Sequence, residues 1–237
     1  MNLTKPPHII KADNIKINIV RTRRQDSMAL NIRNGEVRVL VPKRTHHAVI
    51  ESFVAEKFDW INENLKKQAI QPTVQAKQYI EGESFLFLGV ERTLKLVTGA
   101  RKNIVLDDDS IRIYSSKSLA SSTIKNRLKK WMQTQAQLYL AKRTKTFAAL
   151  LVVSPKLINT RSYKARWGCC SNKKEITYNW QIIMAPEHII DYVIVHELCH
   201  IKEHNHSPAF WSHVENLMPD YKERKKWLDK NGHTIQF

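Results

Sequence analysis

Cysteine is scarce in this chain: Cys169, Cys170 and Cys199 are its three thiols in 237 residues. An odd count with two side by side builds no disulfide framework, which excludes a small cross-linked secreted scaffold. Long hydrophobic runs are absent as well. No stretch approaches the ~20 apolar residues that span a bilayer, and Met1 to Asn18 carries no apolar run of the signal-peptide kind. These absences predict a soluble protein of a reducing compartment, the cytoplasm, with no membrane partner. Glycine is sparse at six residues, and no glycine-rich phosphate loop is visible. No internal repeat, low-complexity tract, helix-turn-helix, finger or stacking-aromatic signature stands out. Acidic residues are outnumbered, 22 against 39 lysines and arginines, for a net charge of +17. That balance favours an anionic partner such as nucleic acid or nucleotide, and it fits an evenly solvated basic surface equally well.

What is there divides into a β-rich first part and a helical second part. Ile15, Ile17 and Ile19 alternate with polar residues at a period of two. Leu30 and Ile32 lead into Asn34-Gly35, and Val37, Val39 and Val41 follow, the pattern of a hairpin. Helical spacing of Val49, Ile50, Phe53, Val54, Ile61 and Leu65 predicts one helix over Thr45 to Gln68, ahead of a loop at Gln71-Pro72-Thr73. Short strands are expected at Phe85 to Leu88, Arg92 to Val97, Asn103 to Leu106 and Ile111 to Tyr114, punctuated by Gly89, Gly99-Ala100 and Asp107-Asp108-Asp109. Arg21, Arg23 and Arg24 are candidates to grip phosphate, though a solvated strand end explains them more simply.

Serines cluster at Ser115 to Ser122, which places a boundary between residues 1–118 and 119–237. Beyond it a long helix is expected from Thr123 to Ala149, with Ile124, Leu128, Trp131, Leu138 and Ala141 inward, backing a later helix. A hairpin is expected from Leu157 to Ser171 and Glu175 to Ile183, turning at Asn172-Lys173-Lys174. Two further helices follow, Phe210 to Met218 and, after Asp220, Tyr221 to Asp229.

One stretch carries chemistry. His196-Glu197-Leu198-Cys199-His200 reads H-E-x-x-H. On a helix His196 and His200 lie one turn apart on one face and can share a metal ion, while Glu197 can reach a water on that metal. The run Ile189 to Val195 is apolar and is entered through Ala185-Pro186-Glu187, so the motif sits on a buried helix with proline and acid suitably at its start. Two histidines meeting there by chance would leave polar groups stranded in an apolar helix. His206 is the expected third ligand, held between a chain turn near His204-Asn205 and a new helix opened by Ser207-Pro208. Glu203, His204 and Glu215 are the alternatives. Three imidazoles favour zinc, one Zn2+ per chain. Vicinal Cys169 and Cys170 read as packing or incidental thiols. Arg166 is either a strand-end charge or a group facing a substrate anion, and Tyr178, Tyr192 and Arg166 are the candidates to face an oxyanion.

The chain resembles the YgjP-like metal-dependent hydrolases, within the zincin peptidases and near the SprT-like proteins. The residues carrying the resemblance are Arg166-Trp167-Gly168, Asn179-Trp180, Ala185-Pro186, the H-E-x-x-H stretch, His206-Ser207-Pro208, Phe210-Trp211 and Met218-Pro219-Asp220-Tyr221. The strands from Ile15 to Val41 are similar to that family's β-rich leader. The resemblance implies zinc on His196, His200 and His206, with Glu197 as the catalytic glutamate. It implies an α+β fold: a zincin-like core of helices on a small antiparallel sheet, with an N-terminal β-rich subdomain carrying one helix. Cys169 departs from the serine expected there, which removes a hydroxyl.

The leading expectation is therefore a zinc-dependent metallopeptidase acting on peptide or protein substrates. The competing expectations are a metal-dependent phosphohydrolase acting on nucleotides and a nucleic-acid-associated protease or binding protein.

Overall fold

The computed structural model describes residues 9–12, 15–24, 27–33, 35–70, 76–99 and 103–237. Asn34, the Gln71-Pro72-Thr73 segment and Ala100 lie outside them. The fold is mixed α and β, with small sheets and, among the described residues, six α-helices. It divides into two compact units, Met1–Gln75 and Ala76–Phe237.

The first unit holds β1 (Ile9–Ala12), β2 (Ile15–Thr22), β3 (Ala29–Arg33) and β4 (Glu36–Pro42), then α1 (His47–Glu56) and α2 (Phe58–Ile70). Its sheet runs β1-β2-β4-β3. The outer pairs are antiparallel and the central pair, β2 with β4, is parallel. The hairpin register sets Arg33 opposite Glu36, and Gly35 takes a positive φ of 75° that favours glycine. The alternating apolar residues all face one way: Ile17, Ile19, Val37, Val39 and Val41 bury against Ile50, Val54 and Ile61 of the helices. The single helix expected here is two, because the chain breaks step at Lys57 between them.

The second unit begins with β5 (Ser84–Phe87), β6 (Val90–Thr98), β7 (Ile104–Leu106) and β8 (Ser110–Ser115). All four match the expected strand positions. They form a sheet in the order β5-β6-β8-β7, again with an inner parallel pair, β6 with β8, and antiparallel flanks. The expected division at 118/119 thus falls inside this unit. The physical reason is the core: Phe85, Phe87, Leu94, Ile111 and Ile113 belong to the same buried cluster as the helices that follow.

Those helices are α3 (Ser121–Leu151), α4 (Glu187–Cys199), α5 (Pro208–Leu217) and α6 (Tyr221–Asn231). The buried stripe of α3 is Ile124, Leu128, Met132, Ala136, Leu140, Thr144, Phe147, Ala148 and Leu151. It is not the face expected from Leu138 and Ala141, since Leu138 is 63% exposed. Steps of four follow the stripe that meets its neighbours, and Trp131 lies at its border, packed on Phe87 at 5.3 Å. Between α3 and α4 lies a three-stranded sheet, β10 (Gly168–Cys170), β11 (Glu175–Asn179) and β9 (Leu157–Arg161), in the order β10-β11-β9. Only β10 and β11 form the expected hairpin; β9 runs parallel to β11, so this sheet is mixed rather than antiparallel.

Helix α4 is apolar on all sides because it is packed on all sides, by α3, α5, α6 and β10. Every residue from Ile189 to Val195 is buried. Asp191 alone would strand a charge there, and Arg143 of α3 answers it with two hydrogen bonds of 2.7 Å, donated by Nε and a terminal nitrogen. The entry to α4 is fixed by the sheet: Leu88 N–H donates to Ile183 O at 2.7 Å, and Gly89 lies so close to Pro186 that a Cβ would come within 2.6 Å of its Cα. Among the described residues no helix is long and apolar enough to cross a membrane.

Candidate metal centre

His196 stands near the end of α4 and His200 caps it, with helical φ and ψ of −64° and −14°. The chain turns earlier than His204-Asn205. Ile201 N–H bonds Leu198 O, and Lys202 and Glu203 N–H both bond Cys199 O, closing tight turns directly after His200. That tightening brings the Glu203 carbonyl within 3.0 Å of His200 Nδ1, so a proton on Nδ1 satisfies it and leaves Nε2 free as a donor atom. The chain then returns through His206. Ser207 caps α5 by accepting a hydrogen bond from Phe210 N–H at 3.2 Å, with Pro208 in the first turn.

The result gathers three imidazoles. One ligand atom each of His196, His200 and His206 lies within 4.8 Å of the others. His196 Nε2 and His206 Nε2 are 3.1 Å apart, close to the ~3.3 Å between neighbouring nitrogens on a tetrahedral zinc with Zn–N bonds of about 2.0–2.1 Å. Among the described residues, Glu203, His204, Glu215, Cys169 and Cys170 join no such group. Burial, reinforced by the neighbouring His200 and His206, pushes the His196 imidazolium down to about 3; burial also lowers His200. Both rings are thus neutral near pH 7, the form that ligates metal. His196 Nδ1 is buried with no hydrogen-bond partner. The residues present fit a shared cation.

An aromatic layer holds the histidines. Phe210, fully buried, lies 4.5 to 5.0 Å from all three rings. Trp211 stacks on His206 at 5.6 Å and on Tyr221 at 5.2 Å. Tyr192 meets His196 edge-on at 5.9 Å.

Glu197 is buried, and burial pushes its carboxyl up to about 8, opposed by the charge of Arg166. Its neighbour across the site is β10. A Cβ on Gly168 would come within 2.6 Å of both Cγ and Oε1 of Glu197, so only glycine lets the strand pass the carboxyl. This reason for Gly168 is invisible in the sequence, where glycine is one residue of a short motif. Of the oxyanion candidates, Tyr178 is buried with its hydroxyl paired to Thr144 at 3.1 Å, and Tyr192 is buried against His196. Arg166 is exposed. Cys169 is a free thiol paired with the Tyr163 hydroxyl at 2.9 Å. Burial and the neighbouring Glu197 hold the Cys170 thiol up to about 11, and among the described residues neither thiol joins a metal-binding group. In the first unit Arg21 is committed to the carbonyls of Lys43 and Thr45, at 2.7 and 3.1 Å, rather than left open for phosphate.

Compared with known protein families, residues 26–231 match one family, described as YgjP-like, metallopeptidase domain. The chain belongs to the YgjP-like metallopeptidases. The match takes in β3, β4 and both helices of the first unit and nearly all of the second; it begins after β2 (Ile15–Thr22), a strand that the resemblance in the sequence includes. It makes this YgjP-like chain a metal-dependent peptidase by class. Among curated proteins no match is found. Two solved structures are similar over part of the chain. The metallopeptidase zymogen of Pyrococcus abyssi abylysin is 23% identical with a TM-score of 0.36, over 38% of this chain and 93% of that one. The metallopeptidase zymogen of Methanocaldococcus jannaschii jannalysin is 21% identical with a TM-score of 0.35, over 38% and 94%.

Proposed function

We propose that this YgjP-like chain is a zinc peptidase in which His196, His200 and His206 hold one zinc ion and Glu197 is the general base. The reading rests above all on three imidazole nitrogens gathered within 4.8 Å beside a buried carboxyl on the adjoining residue. A zinc ion held there lowers the pKa of a water towards about 7 and polarises the carbonyl under attack. In its ionised form, which the charges of a bound cation and of Arg166 would favour, Glu197 accepts the proton of the attacking water and returns it to the leaving amine. Gly168, having no Cβ, lets β10 approach without displacing that carboxyl. Strand β10 is an edge strand with its outer side unpaired among the described residues, so an extended peptide can add to it by main-chain hydrogen bonds and lie past Glu197. His206, the exposed member of the triad, marks the side from which substrate enters.

The test is Glu197→Gln. It keeps about one zinc per chain and loses peptide hydrolysis by ~10³-fold or more; full activity would sink the mechanism. His206→Ala loses the zinc. Undiminished metal in that variant would move the third ligand to Glu203, His204 or Glu215. Release of phosphate from nucleoside triphosphates, in place of peptide cleavage, would move the reading to a phosphohydrolase.

A further inference from the structure

The loop joining β9 to β10, Ser162 to Trp167, is held from beneath by buried residues. Asn179, 4% exposed, donates from Nδ2 to Tyr163 O at 3.2 Å and to Arg166 O at 3.5 Å. Its own N–H donates to Trp167 O at 2.7 Å. Trp180, 2% exposed, donates from Nε1 to Ser162 Oγ at 2.9 Å. The Tyr163 hydroxyl pairs with Cys169 Sγ on β10 at 2.9 Å. Surface loops are ordinarily mobile and variable; this one is pinned at both ends and in the middle.

What the pinned loop presents is positive charge. Arg161, at the end of β9, holds its Cζ 4.7 Å from the centre of the Tyr163 ring, and Arg166 holds its own 5.8 Å from the same ring. Both are exposed, as is Lys164 between them. The loop contains no acid, and neither guanidinium has a hydrogen bond or ion pair with any described carboxylate. A guanidinium resting on a ring is oriented with its N–H edge free, the edge that takes a carboxylate in two parallel bonds. The position is telling: the loop runs straight into Gly168, the residue against Glu197.

We propose that this loop selects substrates by a carboxylate close to the bond to be cut, with Arg161 and Arg166 as the binding groups. The proposal rests on the peptidase reading above and adds to it a preference for acidic peptides. The carboxylate belongs either to an aspartate or glutamate side chain or to the C-terminus of the peptide.

Three versions of an otherwise uncharged decapeptide test it with the zinc-loaded protein. One carries a single glutamate, moved position by position, with both ends blocked. The second has glutamine in its place. The third has glutamine and a free C-terminal carboxylate. The glutamate peptide, at its best position, is cut with kcat/KM about tenfold above the glutamine peptide. The advantage disappears in the Arg161→Gln, Arg166→Gln double variant and shrinks in 0.5 M salt. A preference confined to the third peptide assigns the carboxylate to the C-terminus instead. Equal rates on all three, or a preference that survives the double variant, overturns the proposal. Binding of the same labelled peptides to Glu197→Gln protein separates the two readings. If no peptide is cut at all, the peptidase reading falls, while charge-selective binding that is lost with the two arginines still upholds the loop. Binding that ignores charge overturns the loop whether or not peptides are cut.

Discussion

The protein contains two four-stranded sheets with one plan. Strands run in the order β1-β2-β4-β3 in the first unit and β5-β6-β8-β7 in the second. Each has a parallel centre and antiparallel flanks. They differ in what they pack against. The first closes its core with its own pair of helices, through Ile50, Val54 and Ile61. The second shares its core with α3 and α4, so Leu94, Ile111 and Ile113 are in one cluster with Ile190, Ile194 and Leu198 of α4, the helix that carries His196 and His200. The same arrangement of strands thus serves once as a self-contained module and once as a buttress for a site. Topology alone does not say which; the helix that covers the sheet does.

Deleting core side chains separates the two roles most strongly. Ile111→Ala and Ile17→Ala each remove a side chain with no exposed surface, at about 2–5 kcal/mol. In calorimetry the two units are expected to melt as separate transitions. Ile111→Ala lowers the transition that carries the metal site and with it zinc retention; Ile17→Ala lowers the other and leaves zinc content and peptide hydrolysis unchanged. A single transition shifted equally by both variants would break the comparison.

Metal removal is the next effect in size. A ligand that binds only the folded form at about a hundred times its Kd stabilises that form by about 2.7 kcal/mol. Chelation is therefore expected to lower the melting transition of the second unit and leave that of the first in place, measured by scanning calorimetry with and without zinc.

Two glycines give the smallest and most local contrast. Gly35 and Gly89 both have positive φ, 75° and 78°. A Cβ at Gly35 meets nothing within 4 Å, whereas at Gly89 it meets the Pro186 backbone at 2.6 Å. Gly35→Ala is expected to cost about 1 kcal/mol, from backbone strain alone. Gly89→Ala adds overpacking, for about 2–4 kcal/mol in all, and displaces the start of α4. Equal denaturant midpoints for the two variants would show that the turn does not fix the helix entry.

Much of this was legible in the sequence, and where it was not the reason is consistent. Strands β5 to β8 could be placed because alternation and turn residues are local. The strand order could not, since parallel pairing of β2 with β4, β6 with β8 and β9 with β11 joins segments that are not neighbours in the chain. The inward face of α3 is not legible in the sequence because a basic helix offers several apolar stripes, and only its partners choose the one running through Met132, Ala136 and Leu140. Helix α4 ends earlier than the sequence suggests, because the tight hydrogen bonds after His200 are marked by no glycine or proline.

The sequence by itself determined the helix that carries His196, Glu197 and His200. A buried apolar run ending in His196, Glu197 and His200 can place two imidazoles on one face in no other way, because the helix repeat is set by the backbone. It also singled out His206, by a short fixed spacing and a Ser-Pro helix start. Only the tertiary structure decided that His206 comes to 3.1 Å from His196, that Phe210 lies beneath all three rings, and that Gly168 passes against Glu197. Those contacts join different elements, and their distances are set by how side chains fill the space between them, which no local spacing encodes.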